Sequence, residues 1–238
     1  MLNFFEFRGR SSLEFGLYLT DKAPYSAPER DITRQSIPGR DGDIINDNGR
    51  YKNQDVSYTC RMISDSAGNI AEKAIKTKAW LCAGTATYYP LMDSYNQNFM
   101  RWAAVNGAVE IKPDNVLAEI PLKFSCKPYL YSLEGQKSIT LTKPGTLYNE
   151  FAFGSVPYLK IYGSGAGVLT INGAPFNLLN IDEYIEIEGE TGDAAKGGTD
   201  CNGLVKYDYP PAFVPGENRI EWSGGIAQID VIPRWRTL

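Results

Sequence analysis

Short runs of alternating apolar and polar residues recur along most of this chain, the period-two signature of strands with one buried face. Glu183-Tyr184-Ile185-Glu186-Ile187-Glu188 sets Ile185 and Ile187 against Tyr184, Glu186 and Glu188. Lys137–Thr142, Leu13–Leu19 and Asp55–Met62 alternate in the same way, and Glu119–Lys127 reads as a further strand with Pro121 near its start. Val168–Ile171 and Phe176–Leu179 flank Asn172-Gly173, a pair that tolerates positive φ and predicts a hairpin turn, with Ala174-Pro175 leaving open whether the loop has two residues or more. Ile226–Ile232, stopped by Pro233, reads as a closing strand. Turn residues come every 8–12 positions or so, the spacing of β-rich architecture.

One segment departs from this pattern. Ile70, Ala71, Ala74, Ile75, Leu81 and Cys82 recur near helical spacing, with Lys73, Lys76 and Lys78 mostly on the other side. Asn69 followed by Glu72 suggests a capping box at its start, and Gly84 a left-handed stop. The helical signal is confined to the first half. A boundary is predicted at Pro128–Gly135 as an exposed connection, giving domains 1–132 and 133–238. The expected class is mainly β: a β domain with one helix, then an antiparallel β-sandwich.

Composition narrows the chemistry. The 238 residues include no histidine, which removes Ser-His-Asp and Cys-His hydrolases and His-bearing zinc sites together. The net charge of −4 and the lack of a basic cluster argue against gripping nucleic acid. No apolar run approaches the roughly 20 residues of a membrane-spanning helix. Residues Met1–Glu6 have neither a basic region nor a small-residue cleavage site, so no signal peptide is expected. Cys60, Cys82, Cys126 and Cys201 form no C-x-x-C pair and read as free, partly buried thiols.

The remaining motifs have bland readings that outweigh the sharp ones. Gly163-Ser164-Gly165-Ala166-Gly167 leads into a strand rather than a helix, so a flexible hairpin tip is expected instead of a phosphate loop. Counting a calcium loop from Asp41 puts Ile45 at position five and Lys52 at position twelve, and the match fails. Glu183, Glu186, Glu188 and Glu190 could furnish a glycosidase pair, but they read as a polar strand face. Tyr88, Tyr89, Tyr207, Tyr209, Trp222 and Trp235 are candidates for stacking on sugars. No catalytic residue, cofactor or metal site is assigned.

Several segments together resemble a known family, the distal tail proteins of long, non-contractile-tailed bacteriophages. Phe7–Leu17 resembles the family's opening strand pair. Ile37-Pro38-Gly39-Arg40-Asp41-Gly42 is similar to its I-P-G-R-x-G loop, with Tyr51-Lys52-Asn53 following. Leu122–Tyr129 resembles its junction strand, and Pro215–Trp222 its late turn and strand. The resemblance implies an N-terminal β-barrel with a helix, then a galectin-like β-sandwich. It implies a structural virion protein at the tail tip, made in the host cytoplasm, with no enzymatic role. Its implied partners are five further copies in a hexameric ring, the tail tube protein, the tail-tip or baseplate hub and a receptor-binding protein. Neither membrane nor specific nucleic acid is among them. Ile37–Gly42 is the expected interface segment, within a long loop spanning Thr33–Asn53. The competing function is a lectin-like carbohydrate-binding module.

Overall fold

A computed structural model describes residues 2–22 and 26–238. The chain divides into two compact units, residues 1–130 with Leu238, and residues 131–237. Both are built from antiparallel strands.

The first unit contains, in chain order, β1 (Phe5–Phe7), β2 (Arg10–Ser11), β3 (Leu17–Leu19), β4 (Arg30–Gln35), β5 (Ile44–Tyr51), β6 (Gln54–Ile63), helix α1 (Ala67–Cys82), β7 (Tyr89–Asp93), β8 (Phe99–Val105), β9 (Lys112–Asp114) and most of β10 (Leu117–Ser132). The main sheet runs β2-β1-β7-β8-β10-β6-β3, with β9 also on β10. Its ends meet, because the Leu19 amide donates to the Asn3 carbonyl at 2.8 Å and the two residues form a bridge. The sheet therefore curls into a barrel-like ring. Alternation along β6 places Val56, Tyr58, Cys60 and Met62 inside, as the sequence pattern requires. Aromatic rings fill the centre. Phe15 stacks on Trp80 at 4.3 Å, Phe7 meets Phe124 edge-on at 5.1 Å, and the Trp80 indole donates to the Phe7 carbonyl at 3.2 Å.

Several local expectations are corrected here. Leu13–Leu19 is not one strand. Ser11 and Glu14 form a capping box around a 3₁₀ turn (Ser12–Phe15), which Gly16 ends at φ +72° before β3 begins. The S-x-x-E spacing was the available signal. Helix α1 starts earlier than expected, because the Ser66 hydroxyl rather than Asn69 caps it, accepting from the Asn69 amide at 3.3 Å. Its buried face is Ile70, Thr77, Trp80 and Leu81, while Ile75 and Cys82 face outward. Thr77 and Trp80 complete the helical period, and a count of aliphatic positions alone overlooks both. Pro121 lies well inside β10, opposite Thr59 of β6, rather than near a strand start.

The Pro128–Gly135 connection is also corrected. Strand β10 runs without a break to Ser132, Tyr131 and Ser132 are 6% and 7% exposed, and Gly135 is buried. The Ser132 amide donates to the Trp235 carbonyl at 2.9 Å, and the second unit begins inside this segment, at Tyr131.

That unit contains the end of β10, then β11 (Ile139–Leu141), β12 (Gly145–Asn149), β13 (Tyr158–Ile171), β14 (Ala174–Glu188), β15 (Ala194–Lys196), β16 (Thr199–Asp200), β17 (Val205–Lys206) and β18 (Gly216–Ile232). The sheet runs β11-β18-β13-β14-β15-β16, with β12 on β18 and β17 on β14. Three long strands, β13, β14 and β18, carry it. Their halves have different outer neighbours, since β11 pairs with the end of β18 and β12 with its start. Leu159 and Ile161 from one half of β13 share a buried cluster with Leu169 and Ile171 from the other. The sheet thus folds over on itself into two layers.

The fold-over sits where a flexible tip was expected. Gly163–Gly167 lies mid-strand, and the register of β13 shifts there against both neighbours. A Cβ on Gly163 would lie 2.0 Å from the Gly225 carbonyl oxygen, and one on Gly225 would lie 1.9 Å from that of Ser164. Only hydrogen fits between the strands at this corner. The Asn172-Gly173 turn is a two-residue loop with φ +51° and +85°, because Ile171 pairs directly with Ala174. Pro175 lies within β14 and does not lengthen it.

Candidate functional site

The Thr33–Asn53 segment, expected as a loop, is a hairpin. Strands β4 and β5 pair with each other through Thr33–Asn46, Arg34–Ile45 and Gln35–Ile44, and with no other strand among the described residues. No residue of either strand is buried. An isolated two-stranded ribbon is marginal in water, and local devices brace this one. Arg30 grips Asp47 at 2.6 Å and lies over the Tyr51 ring, 4.8 Å from its centroid. Arg50 pairs with Asp31 at 2.6 Å and Lys52 with Glu29 at 3.3 Å. Arg30 holds the Asp47 carboxyl below the usual carboxylate range, helped by the Gly49 amide. Arg50 does the same for Asp31, with the Asn48 side chain. At the base, the Asn53 amide donates to the Tyr88 hydroxyl at 2.5 Å and the Ser125 hydroxyl at 3.3 Å.

The predicted interface residues form the tip. Ile37-Pro38-Gly39-Arg40 is a type II turn, closed by the Arg40 amide donating to the Ile37 carbonyl at 3.1 Å with Gly39 at φ +81°. Gly42 also has positive φ, +78°, and nothing lies within 4 Å of a Cβ on either glycine. All six residues from Ile37 to Gly42 are exposed. With Ile45 61% exposed, the hairpin offers apolar side chains and open strand edges that the first unit does not cover.

The other candidates are distributed differently. Each of the paired carboxylates considered for catalysis that lies within β14 faces a cation. Glu186 lies 3.6 Å from Lys160, Glu183 3.7 Å from Lys196, and Glu188 forms a two-pronged pair with Arg234. Burial alone would raise the Glu188 carboxyl, but Arg234 and the Glu190 amide outweigh it and lower it. That is the opposite of what a proton-donating acid requires. Asp47 of the failed calcium loop faces Arg30, and no cluster of three or more metal-ligating side chains occurs among the described residues. Burial pushes the Cys60 and Cys126 thiols up to about 12, consistent with inert core positions; all four cysteines are free.

Of the six aromatic candidates, most are packed. Trp235 is buried against Phe213, Tyr89 meets Phe7 edge-on, and Tyr207 packs on Phe176 at 5.4 Å. Tyr209 is 81% exposed.

No protein-family model matches the chain, and no curated protein matches it. Among solved structures, it superposes on SPP1 Dit (gp 19.1), described as a paradigm of the hub adsorption apparatus in phages infecting Gram-positive hosts. The TM-score is 0.76 at 12% identity, covering 100% of both chains. The fold is that of SPP1 Dit. The match to Dit spans the residues of both units.

Proposed function

We propose that this chain is a structural protein of a phage tail, six copies of which close a ring joining the tail tube to the tail-tip hub. The observation that carries this reading is the full-length likeness to SPP1 Dit, with 100% of both chains covered. The β4–β5 hairpin supplies the assembly chemistry. A cyclic ring needs one patch that meets a different patch on the next copy until the circle closes. A ribbon without a buried residue, ending in a glycine-shaped turn, is suited to lie on such a neighbour. Residues Ile37–Gly42 are its contact segment, and the second unit is the mounting point for a receptor-binding protein.

The charge supports the same role. DNA must slide past a tail-tube ring without being held, and a net charge of −4 gives phosphate no attraction. The cation-paired carboxylates of β14 fit a scaffold rather than a catalyst. Light scattering coupled to size exclusion tests the reading, with rings in negative-stain images of the purified protein as the second readout. A hexamer is expected, in equilibrium with monomer at low concentration. A strict monomer at all concentrations, together with tails that lack this chain, overturns it.

A further inference from the structure

The second unit contains a cleft that shares no residue with the β4–β5 hairpin. It lies where the start of β14 meets β17, closed on one side by the segment before β15. Its volume is about 560 Å³. A second hollow of about 360 Å³ adjoins it, since Pro175 and Asp208 line both. Each falls within the range that accommodates small ligands. The two hollows share a wall at Pro175 and Asp208, and are taken together as one trough.

The lining is polar and uncommitted. The side chains of Asn177, Lys206 and Asp208 make no hydrogen bond or ion pair with other described residues. Asn177 and Lys206 are brought side by side by the pairing of β14 with β17. The Asn202 amide oxygen is used, accepting from the Ala194 amide at 2.6 Å, which leaves its NH₂ group for a ligand. Asp193 and Asp208 add carboxylates. The trough therefore mixes strong acceptors, amide donors and one ammonium within a small space. The Tyr207 ring is fixed by Phe176 and by its hydroxyl, which donates to the Gly192 carbonyl. Beside it, Tyr209 on the second hollow is 81% exposed and engages no other described side chain.

We infer that this trough is a binding site for a neutral oligosaccharide. Hydroxyl groups of a sugar both donate and accept. They match carboxylates and amides that line one cleft, and bonds to an ionised acceptor are the stronger ones. The apolar C–H face of a hexose fits the electron-rich face of an aromatic ring, which Tyr209 presents to solvent. Two carboxylates against one ammonium disfavour polyanions, which favours an uncharged ligand. The site does not depend on ring formation, because all its residues belong to one unit of one chain.

The test titrates the full-length protein with neutral trisaccharides of glucose, galactose, rhamnose and N-acetylglucosamine, by calorimetry and by chemical-shift perturbation. At least one should bind, and Asp208→Ala and Tyr209→Ala should each weaken it about tenfold or more. Both positions are exposed, so unchanged melting temperatures should accompany the loss. A phosphate-bearing polyol and an arginine-rich peptide serve as the anionic and cationic probes. The inference is overturned if no trisaccharide binds at millimolar concentration, if the charged probes bind in preference, or if both variants bind as the parent does. Ring assembly should be the same in all three proteins, so this result and the oligomeric state are read separately.

Discussion

The Asn172 side-chain amide donates to the Asn218 amide oxygen at 2.9 Å, linking the β13–β14 turn to the start of β18. Asn218 is fully buried and saturates its bonding capacity. Its oxygen also accepts from the Val214 amide at 2.8 Å, and its NH₂ donates to the carbonyls of Val214 at 2.9 Å and Gly216 at 3.1 Å. Asn172 in turn accepts from the Arg219 amide at 2.9 Å. One pair of amides thus fixes two turns of the doubled sheet.

Removing one member should leave buried backbone groups unpaired. Asn218→Ala is expected to destabilise the second unit by about 2–4 kcal/mol, measured by urea unfolding. A loss below about 1 kcal/mol would show that water replaces the network.

The sheet's corner allows no side chain. In Gly225→Ala the new methyl would meet the Ser164 carbonyl oxygen at 1.9 Å, a backbone atom that cannot swing aside as a flexible side chain would. A destabilisation of about 3 kcal/mol or more is expected, seen as a lower melting temperature or insoluble protein. Wild-type stability would require a sheet that does not fold over here.

At the hairpin tip the cost should be functional. Gly39→Val meets no neighbour but must hold φ near +81°, a strain of about 1–2 kcal/mol in an exposed turn. Under the proposed role, ring formation should fall far more than the melting temperature does. Intact rings in light scattering would remove Ile37–Gly42 from the interface.

The Glu188–Arg234 pair gives an acid-dependent term. Because the folded carboxyl is lowered, its contribution is complete above the unfolded value of about 4.3 and is lost as pH falls through the folded value. Glu188→Gln should therefore lower stability at neutral pH and flatten its fall below about pH 5. Parallel pH profiles for the two proteins would refute the pairing.

A fragment starting at Tyr131 should fold alone into a β-rich domain with a cooperative melting transition by circular dichroism. It should start there rather than at Leu133, because the Ser132 amide pairs with the Trp235 carbonyl. A disordered spectrum would show that the second unit depends on the first.

Local pattern alone determined much of this molecule. Alternation marks the buried sides of β6 and β14, since a period of two with one face in a core leaves no other register. Pro38-Gly39 specifies its turn, and Asn172-Gly173 its hairpin, because the required φ values belong to those residues themselves. The mainly β class followed from the same counts.

Tertiary structure decided the rest. Glycines at 163, 165 and 167 look the same in sequence whether they form a mobile tip or a corner; only the approach of Gly225, some sixty positions away, makes them a corner. Strand β10 runs on through residues that composition marks as a linker, and the Trp235 carbonyl, about a hundred positions away, accepts from the Ser132 amide there. The inferred trough was not legible in the sequence for the same reason. Tyr207 and Tyr209 could be listed as aromatic candidates, but which one packs on Phe176 and which one faces solvent depends on the pairing of β14 with β17. Side-chain exposure is a property of long-range contacts, and a single sequence carries those only implicitly.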